Sequence, residues 1–198
     1  MKEMSRKITN WLVVKGVISY DEREIYEYGV FQMIMNTIDT ISILILAILF
    51  HKVLVVFCYI ICFCMLRKYA GGYHAKSVLG CYVLTVSGAL MMLLVVCFCN
   101  IPLEIMLVVW GIAGIFIVLF APVQNRNKIL DEVEHLVYRR RAIIIWILES
   151  MLMWLLYSLD FQEVVKGILV SNIIICISMN VELIDGIIKR IWFDRLDY

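Results

Sequence analysis

Residues 78–123 read VLGCYVLTVSGALMMLLVVCFCNIPLEIMLVVWGIAGIFIVLFAPV, two long apolar runs separated by a turn at Pro102 and carrying a single charge, Glu104. A helix needs about 20 mostly apolar residues to cross the ~30 Å hydrocarbon core of a bilayer. Each run supplies nearly that length, and the turn between them is short and uncharged, as a reversal on the outer surface would be. This stretch decides the class of the chain: an all-α integral membrane protein. The composition agrees, with 63% hydrophobic residues and a mean hydropathy of +0.91. Basic and acidic residues nearly cancel at +1, which gives no field for a nucleic acid.

Working outward, further spans are expected at 30–50, 53–66, 142–159 and 164–181, making six with 78–100 and 103–121. The second is only 14 residues long, a length that also fits a re-entrant or tilted segment. Charge placement tests the count, because Lys and Arg accumulate in short cytoplasmic loops. With six spans and both termini cytoplasmic, 16 of the 18 basic residues lie inside, and only Lys52 and Lys166 lie outside. The expected organisation is one membrane-embedded domain over 1–198. It has a cytoplasmic interfacial segment over 1–28, spans between 30 and 181, and a cytoplasmic tail over 182–198, in the cell membrane.

The N-terminal segment lacks an apolar core followed by a small-residue cleavage site, so it reads as retained. It is expected to hold an amphipathic stretch with Ile8, Trp11, Leu12 and Ile18 toward lipid, then a helix starting at Ser19, where Ser19 and Glu22 have capping-box spacing. The inner loop breaks at Pro122, and a helix is expected to resume near Ile129. Six of the seven cysteines lie in apolar runs and pack as small hydrophobes. Neither a disulfide framework nor a metal site is expected, and no cofactor.

The exception is the stretch RKYAGGYHAKSVLGC over 67–81. His74 follows Gly71 and Gly72, which permit backbone angles closed to other residues, and Cys81 stands just inside a span. A thiol nucleophile and an imidazole base must come within hydrogen-bond reach. On one continuous helix, seven residues amount to about 10.5 Å of rise, too far for proton transfer. If the pair works, the glycine loop must fold His74 back over a helix that starts near Ser77 and presents Cys81 one turn in. The plain alternative is a positively charged inner loop with an interfacial histidine and a packing cysteine.

At these residues the chain resembles the accessory gene regulator B (AgrB) family, membrane cysteine endopeptidases of Gram-positive quorum sensing. The pattern R-x-x-x-G-G-x-H-A over 67–75, with a cysteine seven residues after the histidine, is similar to that family's signature, and APVQNRNK over 121–128 resembles its proline-containing inner loop. The resemblance implies that His74 and Cys81 are the catalytic pair and that Arg67, Gly71 and Gly72 support them. It implies a substrate too: a precursor signal peptide with an amphipathic N-terminal helix, a short signal segment and an acidic tail. Cleavage through an acyl-enzyme on Cys81 would let a side chain within the bound peptide, usually a cysteine, close a thiolactone. A homodimer surrounded by lipid, with the active site facing the cytoplasm, completes the expectation.

Several roles stay open at this level. Oxyanion donors are either backbone N–H groups around Gly80 and Cys81 or the Arg67 guanidinium. Gln32, Asn36 and Asp39, at i, i+4 and i+7, are either a site for orienting His74 or polar glue between helices. Arg139, Arg140 and Arg141 are either a positive-inside anchor or a contact for the precursor's acidic tail. A small transporter or channel, with Asp39, Glu104 and Glu149 along its path and no thiol chemistry, is the alternative to the peptidase.

Overall fold

The computed structural model describes residues 2–73, 75, 77–124 and 130–194, with side chains through 189. His74, Lys76, Arg126, Lys128 and Arg195 therefore lie outside the described residues, and so does Ile129. Seven helices are described: α1 Lys2–Val14, α2 Arg23–Leu49, α3 Val53–Ala70, α4 Val78–Phe98, α5 Leu103–Phe120, α6 Glu132–Ser158 and α7 Gln162–Asp194. The six from α2 onward are long and apolar enough to cross a membrane. Both prolines stand between helices, where a missing N–H and a fixed φ cost nothing. His51 and Asp160 take positive φ, 54° and 63°, in the tight turns after α2 and α6.

Several boundaries differ from the sequence reading. The short second span is a continuous 18-residue helix, because Arg67 and Lys68 extend it rather than end it; at 1.5 Å per residue it is about 27 Å long. The helix expected from Ser19 starts at Arg23. Only half of the capping box forms: the Glu22 carboxylate accepts from the Ser19 N–H (3.1 Å) and hydroxyl (2.8 Å), which spends the Ser19 hydroxyl as a donor and leaves 19–22 as a turn. Those two bonds hold the Glu22 carboxyl below its ordinary value. Ile18, expected toward lipid, is buried. The helix after the inner loop starts at Glu132, capped by a full Asp131–Glu134 box, and runs unbroken into the fifth span. The last helix passes the expected end at 181 and continues to Asp194, helped by an Asp185–Lys189 pair at i, i+4.

α3 and α7 form the central pair; α6 and α5 pack on them from one side, and α4 and then α2 from the other, with α1 lying along α2. α1 turns Ser5 and Thr9 inward, and both hydroxyls bond back to their own helix, at 2.9 Å. These small side chains let the two helices approach closely. Trp11 and Ile8 stay exposed. All seven thiols are free.

One core cluster lies around Val56, Tyr59, Met92, Trp110 and Ile168, and a second around Leu66, Ala70, Val123, Ile145 and Met179. Between α5 and α6, Trp110 stacks on Trp146 with ring centroids 5.8 Å apart, and its N–H donates to Ser150 Oγ at 2.9 Å. Asn172 of α7 donates to Glu149 of α6 at 2.8 Å in the interior. Such a bond holds helices together where burial of apolar surface does not.

Lys52 and Lys166, the two cations that the charge count put outside, sit together at one end of the bundle. Lys52 pairs with Glu163 at 2.5 Å, and Lys166 donates to the Cys99 carbonyl at 2.9 Å. The exceptions to the charge rule are thus both engaged.

Gly114 is a position between α5 and α6 where packing leaves no room for a side chain. A Cβ there would lie 2.1 Å from the Trp146 ring, whereas one at Gly111 would meet nothing within 4 Å. Gly114→Val should therefore cost about 1–3 kcal/mol, as overpacking of a core does, and lower the thermal midpoint in detergent, while Gly111→Ala should leave the midpoint within a few degrees.

Candidate active site

Cys81 owes its place to a helix cap. Ser77 holds extended backbone angles and its hydroxyl accepts from the Gly80 N–H at 3.0 Å, while its carbonyl accepts from the Cys81 N–H at 3.0 Å. A serine cap satisfies donors that would otherwise be orphaned at the helix start. The thiol is thereby set one turn into α4, half-buried, and Thr85 closes the next turn onto the Cys81 carbonyl at 2.9 Å. Both N–H groups considered as oxyanion donors, Gly80 and Cys81, are consumed by this cap. The first-turn N–H groups that a helix leaves without an internal partner are those of Val78 and Leu79.

The segment before the cap is bound on three sides. Gly71 and Gly72 have φ of 76° and 114°, and a Cβ at Gly71 would lie 2.1 Å from the Val123 carbonyl oxygen. The chain here runs beside the inner loop as a parallel bridge between Gly71 and Val123: the Val123 N–H donates to the Ala70 carbonyl at 2.9 Å and the Gly72 N–H to the Val123 carbonyl at 3.4 Å. On the α7 side the Tyr73 N–H donates to the Ser178 carbonyl at 2.9 Å. From α3, Arg67 Nη1 donates to the Gly71 carbonyl (2.8 Å) and to Ser178 Oγ (2.5 Å), and Nη2 donates to the Tyr73 carbonyl. A side chain at Gly72 would displace this guanidinium, since its Cβ would stand 2.4 Å from Nη1.

Between α2, α3, α4 and α7 lies a cavity of about 490 Å³, within the usual size of ligand pockets. Cys81 and Thr85 line it from α4, Arg67 and Phe63 from α3, and Ile174, Ile177 and Ser178 from α7. From α2 come Gln32, Asn36 and Asp39. Gln32 donates to Asn36 Oδ1 at 3.0 Å, and Asp39 Oδ1 is buried without a hydrogen-bond partner. The loop residues Tyr73 and Ala75, on either side of position 74, line the cavity as well.

The family model described as accessory gene regulator B matches residues 5–179. The chain belongs to the accessory gene regulator B family. Two AgrB-like proteins of Clostridium perfringens are similar to it. That of strain 13 is 33% identical over 124 residues and that of strain SM101 32% identical over 124 residues. Each alignment covers 58% of this chain and 58% of the relative, so the chain spans somewhat over half the length of the curated relatives it matches. No solved structure matches. The segment matched by the family model contains every residue lining the cavity except Val181.

Within this family member, the structure brings Cys81, Arg67, Asp39, Asn36 and Gln32 around one cavity, with Gly71 and Gly72 in the loop that borders it. His74 lies outside the described residues. Arg139, Arg140 and Arg141 are exposed and do not line the cavity. Arg139 donates to the Val118 carbonyl at 3.1 Å, and the Arg141 guanidinium lies over the Tyr69 ring, 5.4 Å from its centroid. Of two residues that bind the loop, Ser178 is absent from the sequence reading and Val123 enters it only within APVQNRNK, without a role. A serine inside an apolar span and a valine after a proline carry no signal of their own; only their contacts mark them.

Replacing Arg67 by Lys leaves one nitrogen to serve three acceptors on two elements. Arg67→Lys and Gly71→Ala should each make the 70–77 segment markedly more sensitive to limited proteolysis while shifting the thermal midpoint little. Ser178→Ala, which removes one acceptor, should do so more weakly, at about 1 kcal/mol of loop stability.

Proposed function

We propose that this protein is a membrane cysteine endopeptidase that cleaves a quorum-sensing precursor peptide after its signal segment and closes that segment into a thiolactone. The observation that carries the reading is the placement of Cys81: one turn into a capped helix, on a cavity that the residues flanking His74 also line. The reading is supported by the helix break, since α3 ends at Ala70 and α4 starts at Val78, which leaves room for the fold-back that the seven-residue spacing requires.

In this mechanism His74 takes the Cys81 thiol proton and the thiolate attacks the carbonyl at the end of the signal segment. The tetrahedral intermediate collapses as His74 returns the proton to the leaving amine. The acidic tail departs, and the signal segment remains on Cys81 as a thioester. A thiol within the bound peptide then attacks that thioester, His74 accepting its proton and Cys81 leaving as thiolate, which that proton restores to the thiol. One thioester forms as another breaks, so the exchange is close to energy-neutral. Hydrolysis is the competing outcome, and the apolar walls of the cavity favour ring closure by limiting water.

Arg67 serves this chemistry by holding the loop, since both its terminal nitrogens are engaged there. The exposed arginines at 139–141 offer the departing acidic tail a counter-charge. The site faces the cytoplasm of a cell-membrane protein that works as a homodimer.

Co-expression with the precursor tests the reading. Wild type should release the tail, Cys81→Ala should release none, and His74→Ala should be slower by about 10²–10⁴-fold, the usual worth of a general acid–base. A hydroxylamine-sensitive adduct on Cys81 should accumulate when the precursor's internal cysteine is replaced by alanine. Cleavage that survives Cys81→Ala would overturn the mechanism.

A further inference from the structure

The row Gln32, Asn36 and Asp39 lines the cavity, and the chemistry above leaves it without a task. α2 and α7 share no extended interface; the cavity stands between them, with the polar row on one wall and Ile174 and Ile177 on the other. The row is also unfinished. Gln32 donates to Asn36, which leaves the Asn36 amide its own N–H donors, and Asp39 Oδ1 is buried with no partner.

A peptide that enters at this depth brings backbone N–H and C=O groups out of water, and in hydrocarbon each must find a partner within the protein. α2 presents both kinds, a carboxylate acceptor and amide donors, in one line. From position 32 to position 39 the helix rises about 10.5 Å, the length of about three residues of extended chain. The facing wall is apolar apart from Ser178, whose hydroxyl is engaged by Arg67, and it suits side chains rather than backbone.

We infer that α2 is a backbone-reading edge: the last three or so residues of the substrate before the scissile bond lie extended between α2 and α7, their backbone N–H and C=O groups bonded to Asp39 and Asn36 and their side chains against Phe63, Ile174 and Ile177. The inference rests on the peptidase reading and deepens it. It makes recognition at this point independent of sequence in its polar part and selective for apolar side chains.

The test uses the full chain in lipid nanodiscs and a precursor with a photoreactive residue directly before the cleavage site. With Cys81→Ala, illumination should cross-link that residue to α2 between positions 32 and 43 or to α7 between 174 and 181. Asp39→Leu and Asn36→Leu, which keep the helix apolar and able to fold, should each reduce the cross-link at least tenfold. On a Cys81 background they should raise the precursor concentration for half-maximal cleavage by a similar factor. Asp39→Asn, whose amide oxygen still accepts from a backbone N–H, should recover most of the loss seen in Asp39→Leu. If Asp39→Asn is as damaging as Asp39→Leu and shifts the pH–rate profile, Asp39 orients His74 instead and the inference falls. Cross-links elsewhere, or cross-linking undiminished in both leucine variants, also overturn it while leaving Cys81-dependent cleavage intact. Absence of Cys81-dependent cleavage in the wild type removes the peptidase reading first, and this inference with it.

Discussion

A guanidinium ties the glycine loop of this bundle to two helices at once, beside the backbone bonds that the loop makes to Val123 and Ser178. Arg67 stands near the end of a helix that is apolar for most of its length, and its terminal nitrogens bond two loop carbonyls and one hydroxyl of α7. A charge at this depth is tolerated only if its hydrogen-bonding demand is met by the protein, and the glycine loop meets it with its backbone. The dependence runs both ways: the Gly71 and Tyr73 carbonyls lie beyond the end of α3, and the guanidinium supplies their donors. Gly72 must be glycine because the guanidinium occupies the space a Cβ would fill, and Gly71 because the Val123 carbonyl does. The chain can then reach Ser77, whose cap sets the direction of α4 and with it the position of Cys81.

What the sequence disclosed follows from how far each signal reaches along the chain. Span count, the helix start near Ser77 and the i, i+4, i+7 row on α2 are local, periodic features, and the structure has them where periodicity places them. The apolar run of the second span ends at Arg67 and Lys68, which makes it read as short; in the fold one is consumed by the loop and the other lies at the helix end over the Tyr69 ring. Ser19 failed as a cap because spacing cannot say whether a hydroxyl donates or accepts. Ser178 and Val123 were out of reach for a different reason. Their partners are 111 and 53 positions away from them, at Arg67 and Ala70, and neither residue type is unusual where it stands.

The structure also changes which groups are free to act. Arg67 and the Gly80 and Cys81 N–H groups had all been open as stabilisers of an oxyanion, and each proves to be engaged in building the site. Each of these groups has a bond that builds the site, and a helix start leaves the N–H groups of its first turn, here those of Val78 and Leu79, without a partner inside the helix. Likewise, Glu149, which a transport path would need, is paired with Asn172 in the interior between α6 and α7, and of the carboxylates such a path would share only Asp39 reaches the cavity. Conduction needs polar groups in series; among the described residues buried polar groups form separate sites, one around the Cys81 cavity and one at Glu149 and Asn172.

Polarity concentrated in this way carries a cost. A buried oxygen without a partner, such as Asp39 Oδ1, destabilises a fold by about 1–3 kcal/mol, and water entering to relieve it would expose a thioester to hydrolysis. Both penalties vanish if the substrate's own backbone takes the place of water along α2. The peptide that is to be cut would then complete the wall that protects its acyl-enzyme, so that the site is driest when the reactive intermediate is present. On that proposal, selection against hydrolysis and binding of substrate would be the same event, and it would give the unpartnered Asp39 oxygen on the cavity wall a partner.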